Sequence, residues 1–264
     1  MENLFISLVL AQLILIPIAY KWELNLKVVS ISAIIIGLFV GLVISISEKY
    51  FYMGLPLKLI SCFVLIVSVS LSALLARFFR DPDRVPPQRH NIILSPADGF
   101  VKYIKHIEKG EIPMSSKGRE KVKLSLPLTD IFTNGQGYLI GIGMTFLDVH
   151  VTRSPIKGKL TYFKHIPGSF CSLKKEDAPY KNERVIEIVE NDKCKMGFIQ
   201  IASRLVRRIV SYVREGDELA LGQKVGMIKF GSQVDIVLPR LHDLKIKVKI
   251  GEQVYAGLSI IAEF

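Results

Sequence analysis

The 264-residue sequence holds only three cysteines, Cys62, Cys171 and Cys194. No two stand at metal-ligand spacing and Cys62 lies inside an apolar run, so neither a disulfide framework nor a zinc site is expected. The amino terminus, Met1-Glu2-Asn3, lacks the positive n-region of a cleaved signal peptide. Acids are in deficit, 24 against 35 Lys and Arg, for a formal net charge of +11. Such a balance can serve nucleic acid. In a chain with long apolar runs it more simply faces an anionic lipid surface, and no nucleic-acid partner is expected.

Apolar residues make up 50% of the chain, and they crowd into the first 77 positions. Three runs stand there: Leu4 to Tyr20, broken by Gln12 and Pro17; Val28 to Ser47, without a charge; and Leu59 to Ala76. The second and third are long enough to cross a hydrocarbon layer of about 30 Å, whereas the first either spans or lies partly in the interface. Tyr20, Trp22, Tyr50, Phe51 and Tyr52 flank the runs as interfacial aromatics do. Arg77, Arg80, Arg84 and Arg89 follow the third run, which puts the rest of the chain on the cytoplasmic side of a cell membrane. The organisation read here is a transmembrane anchor of two or three helices over 1–77, a Pro-rich linker over 78–90 and a β-rich domain over 91–264.

From Asn91 onward, short apolar runs alternate with Gly, Pro, Asn and Asp. Phe100 to Ile104, Tyr138 to Met144, Val185 to Val189 and Phe198 to Ala202 read as strands, and a helix around Leu173 to Tyr180 is limited by Pro179. Val213-x-x-Gly216-Asp217-x-Leu219-x-x-Gly222-x-x-Val225 recurs as Val248-x-x-Gly251-Glu252-x-Val254-x-x-Gly257-x-x-Ile260, at a constant offset of 35. Ser95-Pro96-Ala97-Asp98-Gly99 recurs as Ser154-Pro155-Ile156-Lys157-Gly158. Matching hairpins of a barrel or sandwich follow, so the fold class is mainly β (α+β). The pattern resembles the hammerhead, barrel-sandwich fold of biotinyl and lipoyl carriers. No lysine stands in a Met-Lys-Met or Asp-Lys-Ala setting at a hairpin tip, so a carrier role is not expected.

A Gly-Ser step, Gly231-Ser232, lies between the strand-like runs of Lys229-Phe230-Gly231-Ser232-Gln233-Val234-Asp235-Ile236-Val237-Leu238-Pro239. Alone it is a turn. A serine there becomes a nucleophile only with a base for its proton, and the glycine before it leaves its carbonyl unhindered. His150 is a candidate base. It lies in Asp148-Val149-His150-Val151-Thr152, where alternation puts Asp148, His150 and Thr152 on one face, either solvated or functional. Asp98, before a glycine, is by default a turn residue. His90, His106, His165 and His242 carry no motif.

Arg80-Asp81-Pro82, the Asp98 turn, the His150 strand, the pair Gly168-Ser169-Phe170-Cys171 and Asn182-Glu183-Arg184, and the Gly231-Ser232 step stand in one order. In that order, over about residues 77 to 261, the chain resembles the phosphatidylserine decarboxylase family, archaetidylserine decarboxylases included. The resemblance implies self-cleavage between Gly231 and Ser232 into a β chain and an α chain that stay partners. It implies a covalent pyruvoyl group made from Ser232, with no external cofactor or metal. The implied reaction turns phosphatidylserine, in the membrane, into phosphatidylethanolamine. Ser232, His150 and Asp98 are the implied catalytic residues, with Asp98 assisting the histidine. Arg153 stands where many members carry a second histidine, which fits the shorter branch of the family. Lys174, Lys175, Arg184 and Arg207 are candidate contacts to a lipid phosphate or carboxylate, against the plainer reading of surface charge. Two alternatives are carried: decarboxylation of a related serine lipid such as archaetidylserine, and a non-enzymatic membrane adaptor. A homo-oligomer is left open.

Overall fold

The computed structural model describes residues 1–22, 24–108, 111–113, 121–123, 128, 131–132, 135–169, 172, 181–202, 208–229 and 232–264. It divides into two units, Met1–Arg80 and Asp81–Phe264.

The apolar runs of the first unit form α1 (Glu2–Lys21), α2 (Leu26–Ser47) and α3 (Leu55–Phe78), all long and apolar enough to cross a membrane. The helices begin earlier than the runs, for local reasons. Asn25 caps α2 by accepting hydrogen bonds from the amides of Lys27 and Val28, and α3 carries Pro56 in its first turn, where no amide donor is missed. Lys58, one residue before the third apolar run, therefore sits on α3, with Nζ 2.8 Å from Glu48 Oε1. Gly37 and Gly41 bring α2 against α1. A Cβ on Gly37 would stand 2.9 Å from the Leu8 Cα and one on Gly41 2.8 Å from the Leu4 Cα, while Ser7 Oγ donates to the Gly37 carbonyl at 2.7 Å. Small residues one turn apart let the backbones touch, which is how apolar helices gain contact where lipid offers no hydrophobic drive.

The second unit is mainly β. Its strands are β1 (Ile92–Leu94), β2 (Gly99–Ile107), β3 (Glu111–Pro113), β4 (Lys121–Lys123), β5 (Gly137–Gly143), β6 (Val151–Arg153), β7 (Gly158–Ile166), β8 (Arg184–Glu190), β9 (Lys195–Ala202), β10 (Arg208–Ser211), β11 (Glu218–Leu219), β12 (Lys224–Lys229), β13 (Ser232–Pro239), β14 (Lys245–Ile246), β15 (Gln253–Val254) and β16 (Ile260–Glu263). An eight-stranded sheet runs β11-β7-β8-β9-β13-β5-β2-β15, beside smaller sheets β10-β12-β6, β1-β16-β14 and β3-β4. The four strands read from the sequence are β2, β5, β8 and β9. The segment expected to hold a helix, 173–180, lies outside the described residues.

Both sequence repeats become a pseudo-two-fold. The amide of Leu94 donates to the Pro155 carbonyl at 2.9 Å and that of Arg153 to the Pro96 carbonyl at 2.8 Å. Gly257 donates to the Ser95 carbonyl, and Gly222 to that of Ser154, at 2.8 and 2.9 Å. The recurring acid has its own task. Asp217 accepts the Arg214 amide and Glu252 the Lys249 amide, each closing a turn three residues back. Gly222 and Gly257 have φ of 73° and 70°, a region that disfavours side chains, and they face each other across the axis.

The sheet buries both faces. On one, Val234, Ile236 and Leu238 of β13 pack with Phe198 and Ala202 of β9 and with Ile209, Val225 and Ile228 of the β10-β12-β6 sheet. On the other, Val237, Leu139, Ile199 and Ile201 pack with Leu128, Ile131 and Phe132. All eight residues of β13 are buried, and β9 and β5 flank it.

Candidate active site

Ser232 is the first residue of β13, the strand between the two halves of the large sheet. It pairs with Ala202 of β9, and Gln233 beside it pairs with Gly143 of β5. Alternation turns the Ser232 side chain to the same core face as Val234. The residue is 1% exposed, with Oγ 2.9 Å from Met144 Sδ, and its carbonyl accepts the Met144 amide at 3.0 Å. Gly231 lies outside the described residues.

His150 reaches the same region from the other end of one loop. The Ile228 amide donates to the His150 carbonyl at 3.1 Å, and Val151 pairs with Met227. Residues 144–150 thus join Ser232 to Ile228, spanning the stretch that carries the Gly231-Ser232 bond. A turn at Thr145–Asp148 shapes this bridge: Asp148 Oδ2 accepts the amide and the hydroxyl of Thr145 at 2.7 and 2.8 Å. His150 Nδ1 lies 2.9 Å from the Asp148 carbonyl. A carbonyl only accepts, so the hydrogen is assigned to Nδ1, and the lone pair of the neutral ring falls on Nε2. The strand read over Asp148-Val149-His150 begins only at Val151, with Asp148 in the turn before it, and the three polar residues are buried rather than solvated: Asp148, His150 and Thr152 are 8%, 0% and 0% exposed.

Asp98 is more than a turn residue. Arg84 holds both of its oxygens, at 2.5 and 2.8 Å, and the Ala256 amide donates to Oδ1 at 2.8 Å. Its neighbour Gly99 abuts the Gly143 carbonyl, one residue before Met144. Asp98 therefore fixes a turn that leads, through Gly143 and Met144, to the carbonyl of Ser232.

Arg153 is buried and turned to the chain after Arg80. It donates to the carbonyls of Gly222 and Pro82 at 3.1 and 3.0 Å and faces Asp81 at 3.5 Å. Burial, and then the neighbouring Arg84, lower its pKa. Arg184 is half-buried at the start of β8, donating to the Asn182 carbonyl at 3.2 Å, and burial lowers its pKa. Lys174, Lys175 and Arg207 lie outside the described residues.

The sequence reading missed several polar side chains here. Arg84 was counted only as a membrane-flanking charge. Asp235, on the opposite face of β13 from Ser232, accepts from Tyr103 Oη at 2.8 Å and Gln233 Nε2 at 2.6 Å, and burial pushes its pKa up to about 6. Glu187 and Gln200 form a buried pair on the core face. An acid between Val185-Ile186 and Ile188-Val189 was the available signal for Glu187.

Comparison with known proteins gives the family. Residues 71–262 match the family model described as phosphatidylserine decarboxylase. A chain of Methanocaldococcus jannaschii named archaetidylserine decarboxylase proenzyme is 45% identical over 200 residues, covering 76% of this chain and 94% of that one. A chain of the same name from Methanothermobacter thermautotrophicus is 38% identical over 201 residues, covering 75% and 84%. A phosphatidylserine decarboxylase proenzyme of Erythrobacter litoralis is 37% identical over 187 residues, covering 70% and 71%. These matches define the class first, that of the carboxy-lyases. Within it, this chain belongs to the phosphatidylserine decarboxylase family.

Proposed function

We propose that the protein decarboxylates phosphatidylserine to phosphatidylethanolamine after cutting itself between Gly231 and Ser232. The observation that carries this reading is the bridge 144–150, bonded to Ser232 at one end and carrying His150 opposite Ile228 at the other. His150 Nε2 takes the Ser232 hydroxyl proton as Oγ attacks the Gly231 carbonyl. The amide nitrogen leaves with a proton, and an ester links the two segments. Loss of the Ser232 α-proton then breaks the Cβ–Oγ bond, freeing the Gly231 carboxylate and leaving dehydroalanine. Its imine tautomer takes up water and releases ammonia, so a pyruvoyl group heads residues 232–264.

The surroundings of residue 232 suit that group. Its backbone is held in the ladder on both sides, and its side-chain position is enclosed against Met144. The group supplies a carbonyl electrophile that binds the substrate amine and draws off the electron pair released with CO₂. The protein holds the new terminus in place, since β13 stays between β9 and β5. It keeps water away by burial, and it orients the imidazole through Asp148. Asp98 acts in this set as the group that fixes the turn behind Met144. Lys174, Lys175, Arg184 and Arg207 meet the lipid phosphate or carboxylate. The Arg residues after α3 support a catalytic unit on the cytoplasmic side, against an anionic surface.

A second reading, archaetidylserine as substrate, is favoured by the names of two of the relatives. The reacting headgroup is the same. Mass spectrometry of the purified protein tests the mechanism: a fragment of residues 232–264 beginning with a pyruvoyl group is expected. An intact chain that still decarboxylates would overturn it. Incubation with ester-linked and ether-linked serine lipids separates the two substrates.

A further inference from the structure

Glu187 is a carboxyl group inside the hydrophobic core. It lies on β8 opposite Phe198 of β9 and is 0% exposed. Gln200 Nε2 donates to its Oε2 at 2.8 Å. Among the described residues, Glu187 Oε1 and Gln200 Oε1 have no partner. Both are acceptors, so a single proton on the carboxyl is the donor this pair lacks. Burial pushes the Glu187 pKa up to about 8, Gln200 offsetting part of the rise, and no charged side chain contributes.

The pair sits on a line to the reacting serine. Gln200 is opposite Val234, and Ser232 lies two residues along β13 on the same face. Glu187, Gln200 and Ser232 thus step diagonally over β8, β9 and β13, a spacing long side chains can bridge. Gly226 of β12 leaves room for the amide: a Cβ there would stand 3.1 Å from both Gln200 Nε2 and Oε1. Thr152 of β6 is opposite Gly226 and fully buried. Of the groups on this face, Phe163 of β7, Phe198 of β9, Val234 and Ser232 of β13 and Thr152 of β6 carry no charge. His150, two residues from Thr152, is titratable.

We infer that Glu187 is a positioning residue, kept as the neutral acid, that locks the Gln200 amide and leaves the core face behind residue 232 without negative charge, so that the carboxylate of a serine lipid can enter there. The inference rests on the decarboxylase reading above. A carboxylate is disfavoured beside a buried anion that has no donors to satisfy it, because two like charges in a low dielectric repel strongly. Another buried acid nearby, Asp148 on the 144–150 bridge, has its carboxylate held by the Thr145 amide and hydroxyl. Ionised Glu187 would exclude the substrate, whereas the neutral acid admits it.

The test compares wild type with Glu187→Gln, which stays neutral at every pH. Each is first shown by mass spectrometry to have matured. The KM for phosphatidylserine in mixed detergent micelles is then measured between pH 7 and pH 9. Wild type should lose affinity about tenfold over this range, as the neutral fraction falls, while E187Q stays flat against it. Equal rises in both proteins overturn the role. Infrared difference spectra of uncleaved Ser232→Ala give a readout independent of activity. A protonated-carboxyl band should vanish between pH 7 and pH 9 and be missing when E187Q is added; a spectrum without that band overturns the neutral acid. If wild type neither cleaves nor decarboxylates, the functional reading fails and the spectra still decide the state of Glu187. If only E187Q fails to mature, the spectra decide likewise.

Discussion

Arg84 grips both oxygens of Asp98, and one of its nitrogens also donates to the Ala256 carbonyl at 2.7 Å. The side chains are 8% and 2% exposed, so this is a buried ion pair that ties the segment after α3 to a turn in residues 232–264. Removing one partner strands the other charge. Asp98→Ala in the uncleaved Ser232→Ala background should therefore cost about 3–5 kcal/mol, and adding Arg84→Ala should restore part of it. Urea unfolding of the single and double variants measures this. An Asp98 that serves only chemistry would leave the midpoint in place.

Replacing His150 by alanine should slow appearance of the 232–264 fragment by about 10²- to 10⁴-fold, the range of a single positioned base. The time course of cleavage after synthesis in vitro reads the rate. Cleavage at the wild-type rate would remove His150 from the mechanism.

Asp235 supplies a pH dependence with a definite sign. Its pKa rises from 3.8 to about 6 on folding, so between those values the folded state holds more of the proton than the unfolded state. Its contribution is thus most favourable below about pH 4 and is lost as the pH rises through 6. Asp235→Asn, measured in the S232A background, should gain on its parent over that window, by on the order of 2–3 kcal/mol at pH 7. Parallel stability curves would show that Asp235 ionises freely in the fold.

For topology, protease added to inside-out vesicles should digest the unit Asp81–Phe264, while intact cells protect it. Exposure on intact cells alone would reverse the orientation drawn from Arg77, Arg80, Arg84 and Arg89.

Leucine at Gly41 should separate α1 from α2, because its first carbon already meets the Leu4 backbone. A cysteine pair cross-linking the two helices in membranes should form less readily in that variant. Undiminished cross-linking would place the helix contact elsewhere.

Much of the protein is legible in one dimension because its signals are local. Apolar length marks the three helices, period-two patterning marks β2, β5, β8 and β9, and glycine with an acid at a fixed spacing marks the paired turns. The Gly231-Ser232 step and the Asp148-Val149-His150 segment are likewise short strings, whose residue types suit the proposed chemistry. What distant segments do to one another is not written in any string. Ser232 and His150 are linked only because Met144 bonds to Ser232 and Ile228 bonds to His150, at the two ends of residues 144–150. Asp98 looked like a turn residue until Arg84 closed on it, and Asp148, His150 and Thr152 looked open to solvent until the fold buried them. Glu187 is the sharpest case: a lone acid in a strand is unremarkable, but tertiary burial pushes its pKa up to about 8. Sequence sets which groups are present and at what local spacing, while the electrostatic state of each group depends on what the fold packs around it.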